Sequence, residues 1–475
     1  MNNKFRVVIK NIFSMIFANG ISFIISALIT LIIPKILNVE NYSYVQLYIF
    51  YTSYVSYLHY GWVDGIRLRY GGIFYDNIDK SVFKSQIVLY NLVQFVISTI
   101  VIIVIILLGF NGNRQIALLA VGICMMIRLP RIMPQYILEM SNRITECARI
   151  TIIEKVSYLI ITIIILITGK ASVLSLLIAD LIGQLLSCIY AFYCCRDILK
   201  SKPDNINNAV KEIKKNIFSG IKLTIANISS LLIIGIVRQF IEFKWDVTTF
   251  GKLSLTISIS NLLMLFIRAI SMVMFPTLRR VDKEKLSEIY SLMRIGIMIP
   301  LLGMLILYSP LKMIISSWLP QYSDSLKYMA ILFPMCIFES KMCLLIETYL
   351  KTLRLEGWLL KINIITLFLS FFTTILTTCV LHNLTLAVLS IVLLLAFRCV
   401  FAEKILATRI NIDFTKHSIY ELSLVAIFIL SSWYIGGIKG LIIYLLFYVI
   451  YLYLIRNNIK QLIIFLKKGL KKNEN

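Results

Sequence analysis

The chain has 475 residues, of which 59% are hydrophobic and only 15% charged, with a mean hydropathy of +0.85. That balance excludes a soluble protein of ordinary surface-to-volume ratio, so lipid must form part of its solvent. Forty-eight lysines and arginines against 24 acids leave a formal charge of +24, whose distribution along the chain assigns it to membrane orientation beside anionic lipid rather than to nucleic acid.

The apolar residues recur in runs of about 20, enough to cross roughly 30 Å of hydrocarbon as helix. Helices are required because an unpaired backbone amide in lipid costs several kcal/mol. Unbroken aliphatic stretches such as Val101 to Leu108 also differ from the alternating strands of an outer-membrane barrel. Lys4, Arg6 and Lys10 precede the first segment, which runs from Ile12 to Ile33 without a small-residue cleavage site and reads as a retained helix, not a secretory signal. In chain order the predicted helices cover 12–33, 42–63, 82–109, 115–138, 150–169, 171–195, 217–237, 252–275, 291–310, 325–350, 358–380, 384–401, 417–435 and 437–455. The expected fold class is therefore an all-α polytopic membrane protein of about 14 transmembrane helices, with 64–81 and 196–216 as its clearest polar connections.

Positive charge accumulates in every second connection, as cytoplasmic loops require. Arg67, Arg69, Lys80 and Lys84 follow the second helix, Arg143 and Arg149 the fourth, and Arg196, Lys200 and Lys202 the sixth. Arg279, Arg280, Lys283 and Lys285 follow the eighth, Lys351 and Arg354 the tenth, and Lys404, Arg409 and Lys416 the twelfth, with a lysine-rich tail at the end. The opposite face offers chiefly Lys35, Arg114, Lys170, Arg238, Lys244, Lys312 and Lys439. This alternation predicts both termini in the cytoplasm of a bacterial inner membrane. The nine cysteines form no CxxC pair and sit mostly in apolar segments, and only three histidines are present, so no metal site, cofactor or disulfide framework is expected.

The pentapeptide KNIFS occurs at 10–14 and again at 215–219, each time entering a helix after basic residues. Its placement predicts two homologous transmembrane lobes, 1–200 with helices 1–6 and 201–403 with helices 7–12, followed at 404–475 by two further helices and a basic tail.

Ionisable residues at membrane depth carry the functional expectation, because they are costly unless they face water or a partner. Arg128 lies deep in the fourth segment, followed by Arg131, and Arg268 lies at intermediate depth in the eighth. Lys222 and Arg398 sit closer to the cytoplasmic interface, where snorkelling competes with a role in a cavity. Together Arg128, Arg268, Lys222 and Arg398 are candidate contacts for phosphate or another polyanionic headgroup, arginine being suited to bidentate phosphate binding. Asp180, which shares a helix face with Gln184, and Glu339 are the opposing acids, read as an ion-coupling site or as structural pairs. No ATP-binding loop motif is present in the sequence.

The segments PKILNVENYSYVQLY (34–48), HYGWVDGIRLRYGG (59–72, with an Asp-Gly-x-x-x-Arg pattern) and FPTLRR (275–280), together with the helix count, resemble the polysaccharide biosynthesis or O-antigen flippase family of the multidrug, oligosaccharidyl-lipid and polysaccharide transporter superfamily. Ser43 departs from the glycine common in that family's first turn. The resemblance implies a non-enzymatic carrier that moves polyprenyl-pyrophosphate-linked oligosaccharide units from the cytoplasmic to the external leaflet for O-antigen, capsule or similar synthesis. It also implies a polysaccharide polymerase and other assembly proteins as partners, with membrane lipid around it. Three other classes remain open. A multidrug or cation exporter would favour deep acids over deep bases, a polymerase or glycosyltransferase would need a sizeable external loop, and a structural subunit would leave the arginines as packing features.

Overall fold

The computed structural model describes the backbone of residues 3–278 and 286–473 and the side chains of 20–262, 264 and 286–464. Fourteen helical rods follow one another among the described residues: α1 (Asn3–Ile36), α2 (Val39–Val55), α3 (Lys80–Leu107), α4 (Gly112–Met140), α5 (Ile144–Ile167), α6 (Val173–Cys194), α7 (Ile206–Lys244), α8 (Val247–Leu278), α9 (Leu286–Trp318), α10 (Met329–Thr352), α11 (Glu356–Val380), α12 (Leu384–Ile410), α13 (Thr415–Ile435) and α14 (Gly437–Leu454). Eleven of them, α3 to α7 and α9 to α14, are long and apolar enough to cross a membrane over their described residues. The protein is thus an all-helical multi-pass membrane protein. Arg279, Arg280, Lys283 and Lys285 lie outside the described residues, as do the side chains of the first KNIFS copy.

Side-chain oxygens set several helix starts by accepting from the first free amides. Asn38 caps α2, Asp79 accepts from the amides of Ser81 and Val82 at α3, Ser172 forms a reciprocal box with Ser175 at α6, and Asn383 caps α12. The outer faces of these rods then expose large apolar side chains, such as Phe95 and Ile100 on α3 and Ile167 on α5, because lipid and not water is their solvent.

Two compact units divide the chain at Met1–Leu231 and Leu232–Asn475, a boundary that falls inside α7. In unit 1, α4 is the central strut, packed on α2, α3 and α6, while α5 joins α1 to α6. In unit 2 that place belongs to α10, packed on α8 and α12, with 89% of its apolar window buried against 17% for α14. Polar contacts clasp the unit 1 connections: Asp197 pairs with Lys80 at 2.8 Å and accepts from the Tyr75 hydroxyl at 2.6 Å. Burial alone would raise the Asp197 carboxyl, but these donors outweigh it and hold the group below its ordinary value.

Two predicted helices differ in detail. The span expected over 42–63 ends its α-helix at Val55 and passes into turns, and Tyr60 (φ 53°) and Gly61 (φ 82°) adopt left-handed conformations that no α-helix continues. A short helix, Trp62–Tyr70, follows. The span expected over 325–350 contains a π-helical stretch, Met342–Ile346, in the middle of α10.

The short helix meets the first half of α7 backbone to backbone within unit 1. A Cβ on Gly65 would lie 1.8 Å from the Asn216 carbonyl oxygen, and one on Gly220 would lie 2.0 Å from that of Gly61. Hydrogen bonds stitch the seam where side chains do not fill it. Arg69 reaches Asn216 Oδ1 (2.5 Å) and Glu212 (2.7 Å), Asn216 donates to Gln86 (2.8 Å), and Gln86 also accepts from the Trp62 indole (3.0 Å). Gly65→Ala is therefore expected to force the two backbones apart and to lower the thermal stability of the purified protein by about 1–3 kcal/mol, the usual penalty of overpacking. An unchanged melting temperature would show that the seam has slack.

Candidate translocation residues

Three polar networks occupy the helix interiors. The first lies in unit 1 and joins α2, α4, α5 and α6. Arg131 of α4 contacts Glu154 of α5 and Ser187 of α6, each at 2.5 Å, and all three are buried. One turn earlier on α4, Arg128 is half-buried and donates only to the backbone carbonyl of Thr52, at 3.2 Å. Among the described residues, no carboxylate stands at ion-pair distance from it. The nearby Asp180 carboxylate is engaged instead by neutral donors, the Tyr48 hydroxyl at 2.6 Å and the Gln184 amide at 2.5 Å. Gln184 in turn accepts from the Cys124 thiol at 3.2 Å. The expected shared face of Asp180 and Gln184 is thus a hydrogen-bonded pair.

The second network centres on Arg398 of α12, in unit 2. Its guanidinium contacts Glu339 (3.1 Å) and Glu347 (3.4 Å) of α10 and Asn363 of α11 (2.9 Å). Arg398 is 1% exposed, so the snorkelling expected from its sequence position does not occur. The π-helical stretch explains how both acids reach it. Eight residues overshoot two α-helical turns by about 80°, and a wider turn takes up roughly one residue of that excess, returning Glu339 and Glu347 to nearly one face.

Lys341, two positions beyond Glu339, points into the third network. Its ammonium lies 2.7 Å from Glu403 of α12 and 2.6 Å from Glu421 of α13. Arg294 of α9 contacts the same two acids at 3.3 and 3.1 Å. Tyr290 and Ser418 complete Glu403 at 2.8 and 3.0 Å. Two cations and two anions, each at most 5% exposed, form a neutral buried knot that ties α13 to the rest of unit 2.

Among the other sequence candidates, Lys222 is exposed on α7 and makes no ion pair among the described residues, and the side chain of Arg268 lies outside them. Sequence reasoning missed Glu154, Arg294, Lys341, Glu403 and Glu421. The available signal was a charge inside or at the edge of an apolar segment with an opposite charge at matching depth in another.

No protein-family model matches the sequence, and no curated protein matches it. Solved structures do. The lipid II flippase MurJ in an inward closed conformation aligns with a TM-score of 0.63 at 13% identity, covering 94% of this chain and 99% of its own. An inward-facing multidrug resistance MATE family transporter of the MOP superfamily aligns with a TM-score of 0.61 at 12% identity, covering 83% and 94%. A MOP superfamily transporter from Pyrococcus furiosus aligns with a TM-score of 0.52 at 12% identity, covering 85% and 96%. This chain shares the fold of these structures. Arg128 and Asp180, both in unit 1, lie within the helices without an oppositely charged side chain at ion-pair distance among the described residues.

Proposed function

We propose that this chain is a flippase for a lipid-linked oligosaccharide bearing phosphate, moving it from the cytoplasmic to the external leaflet of a bacterial inner membrane without chemical change to the cargo. Arg128 carries the reading. Arg131, Arg294, Lys341 and Arg398 are all neutralised by carboxylates, whereas Arg128 keeps a full charge at depth with one backbone hydrogen bond. A guanidinium so placed favours a ligand with planar pairs of anionic oxygens. Sugar hydroxyls and phosphates would lose strong hydration in hydrocarbon, so a carrier with a polar interior lowers the barrier while the polyprenyl chain stays in lipid. In this reading Arg268 and Lys222 are secondary contacts, and Arg398 holds unit 2 together with Glu339. Asp180, which has no cationic partner at ion-pair distance, is the ion-coupling group.

The lengths of the alignments also favour the flippase. Coverage of 94% leaves fewer residues unmatched than the 21 of α13 and 18 of α14 combined, so the lipid II flippase matches part of that pair. The helices beyond the first twelve then belong to the transport scaffold of a flippase. An exporter of organic cations is the second reading, supported by the likeness to a multidrug resistance MATE family transporter and by Asp180, whose carboxylate already accepts from Tyr48 and Gln184.

In cells lacking the protein, lipid-linked repeat units are expected to stay in the cytoplasmic leaflet, shielded from a membrane-impermeant reagent that modifies glycans. Units found fully exposed outside, yet unpolymerised, would overturn the flippase and favour a polymerase.

A further inference from the structure

The seam between residues 59–70 and the first half of α7 contains a buried charge that no fixed cation balances. Asp64 is 3% exposed and accepts a hydrogen bond from the Thr224 hydroxyl of α7 at 2.6 Å. It sits in the first turn of the short helix. Among the described residues, no lysine or arginine stands at ion-pair distance. Of the two basic residues of its own helix, Arg67 is turned to Glu139 at 3.3 Å and lies over the Tyr136 ring at 5.9 Å, and Arg69 is held by Asn216 and Glu212. The one basic group within reach is His59, whose Nε2 is 3.8 Å from Asp64 Oδ2.

His59 is itself 2% exposed, and its Nδ1 is buried without a hydrogen-bond partner. Such an orphan atom costs free energy in a static core, which makes a purely packed histidine a poor explanation. The remaining titratable groups around the pair are Tyr136 and Glu139 of α4, with Arg67 and Tyr57 from the segment itself. From α7 the pair receives Thr224, which does not titrate.

We propose that His59 and Asp64 form a proton-binding site whose occupancy is linked to the docking of α7. With a neutral imidazole the pair carries a charge of −1. One proton taken from water onto the imidazole makes it an imidazolium–carboxylate pair of net charge zero, and release reverses the step. The proton and the Thr224 hydroxyl draw on the same carboxylate, so docking of α7 disfavours protonation and protonation weakens the hold of Asp64 on α7. The seam suits such a linkage because close glycine contacts and hydrogen bonds run along it. The inference does not depend on the nature of the cargo.

The chain has only three histidines, His59, His382 and His417, so ¹⁵N-histidine labelling of the full-length protein in lipid nanodiscs resolves the site directly. His59→Gln identifies the signal by its loss. The His59 signal is expected to titrate, with its midpoint lowered in Asp64→Asn by loss of the neighbouring carboxylate and raised in Thr224→Val. Unmoved His382 and His417 signals report an intact fold, and if one variant disturbs them the other decides. A His59 signal that does not titrate, or whose midpoint ignores Asp64 and Thr224, overturns the proposal.

Discussion

Lys341→Met is expected to destabilise the protein by about 3–5 kcal/mol, the cost of leaving buried charge uncompensated. The wild-type knot is neutral, with Lys341 and Arg294 against Glu403 and Glu421. Removing the ammonium strips each carboxylate of its shortest ionic contact and leaves one guanidinium between two buried acids. Adding Glu421→Gln restores the charge balance, so the double variant is expected to recover much of the loss even though it has fewer ionic contacts than the single one. Thermal unfolding of wild type, both single variants and the pair in one detergent measures the coupling. A single Lys341→Met protein as stable as wild type would show that Glu403 or Glu421 is held protonated and that the knot is not ionic.

The second large effect concerns transport. Arg128→Ala is expected to reduce external glycan delivery by about 10- to 100-fold, corresponding to one charge-assisted contact of roughly 1.5–3 kcal/mol. Protein abundance should hold, because Arg128 leaves no carboxylate stranded when it is removed. Arg128→Lys keeps the charge without the fork and should fall between. Arg131→Ala is the control, since it abandons the buried Glu154 and should lower abundance as well. The pattern is read from surface glycan and membrane-protein level measured together in complemented cells. Normal delivery by Arg128→Ala would remove the proposed headgroup contact and return the arginine to a packing role.

The contrast between Arg128 and Arg398 shows where sequence reasoning stops. Both are arginines inside apolar segments, and depth along the chain suggested that Arg398 would reach the interface. Its burial follows from the π-helical stretch of α10, which turns Glu339 and Glu347 together toward α12. Nothing in a residue-by-residue hydropathy profile marks that change of helical pitch. Lys341 and Glu403 passed unnoticed for a related reason: they are 62 residues apart, and only the packing of α10 on α12 brings them to 2.7 Å.

Hydrophobic run length by itself determined the all-helical membrane class and the order of the fourteen rods, because backbone hydrogen bonding in lipid leaves a run of about 20 apolar residues no alternative to a helix. Local chemistry also determined helix starts at Asn38, Asp79, Ser172 and Asn383, where the capping oxygen acts within three residues. Which buried charges are spent and which are left over was decided only by the tertiary structure. A charge becomes neutral through a partner on another helix, and sequence distance carries no information about that partner. Arg128 stands out for this reason, as a cation that packing leaves, among the described residues, without a carboxylate at ion-pair distance, and Asp64 for having only His59, at 3.8 Å.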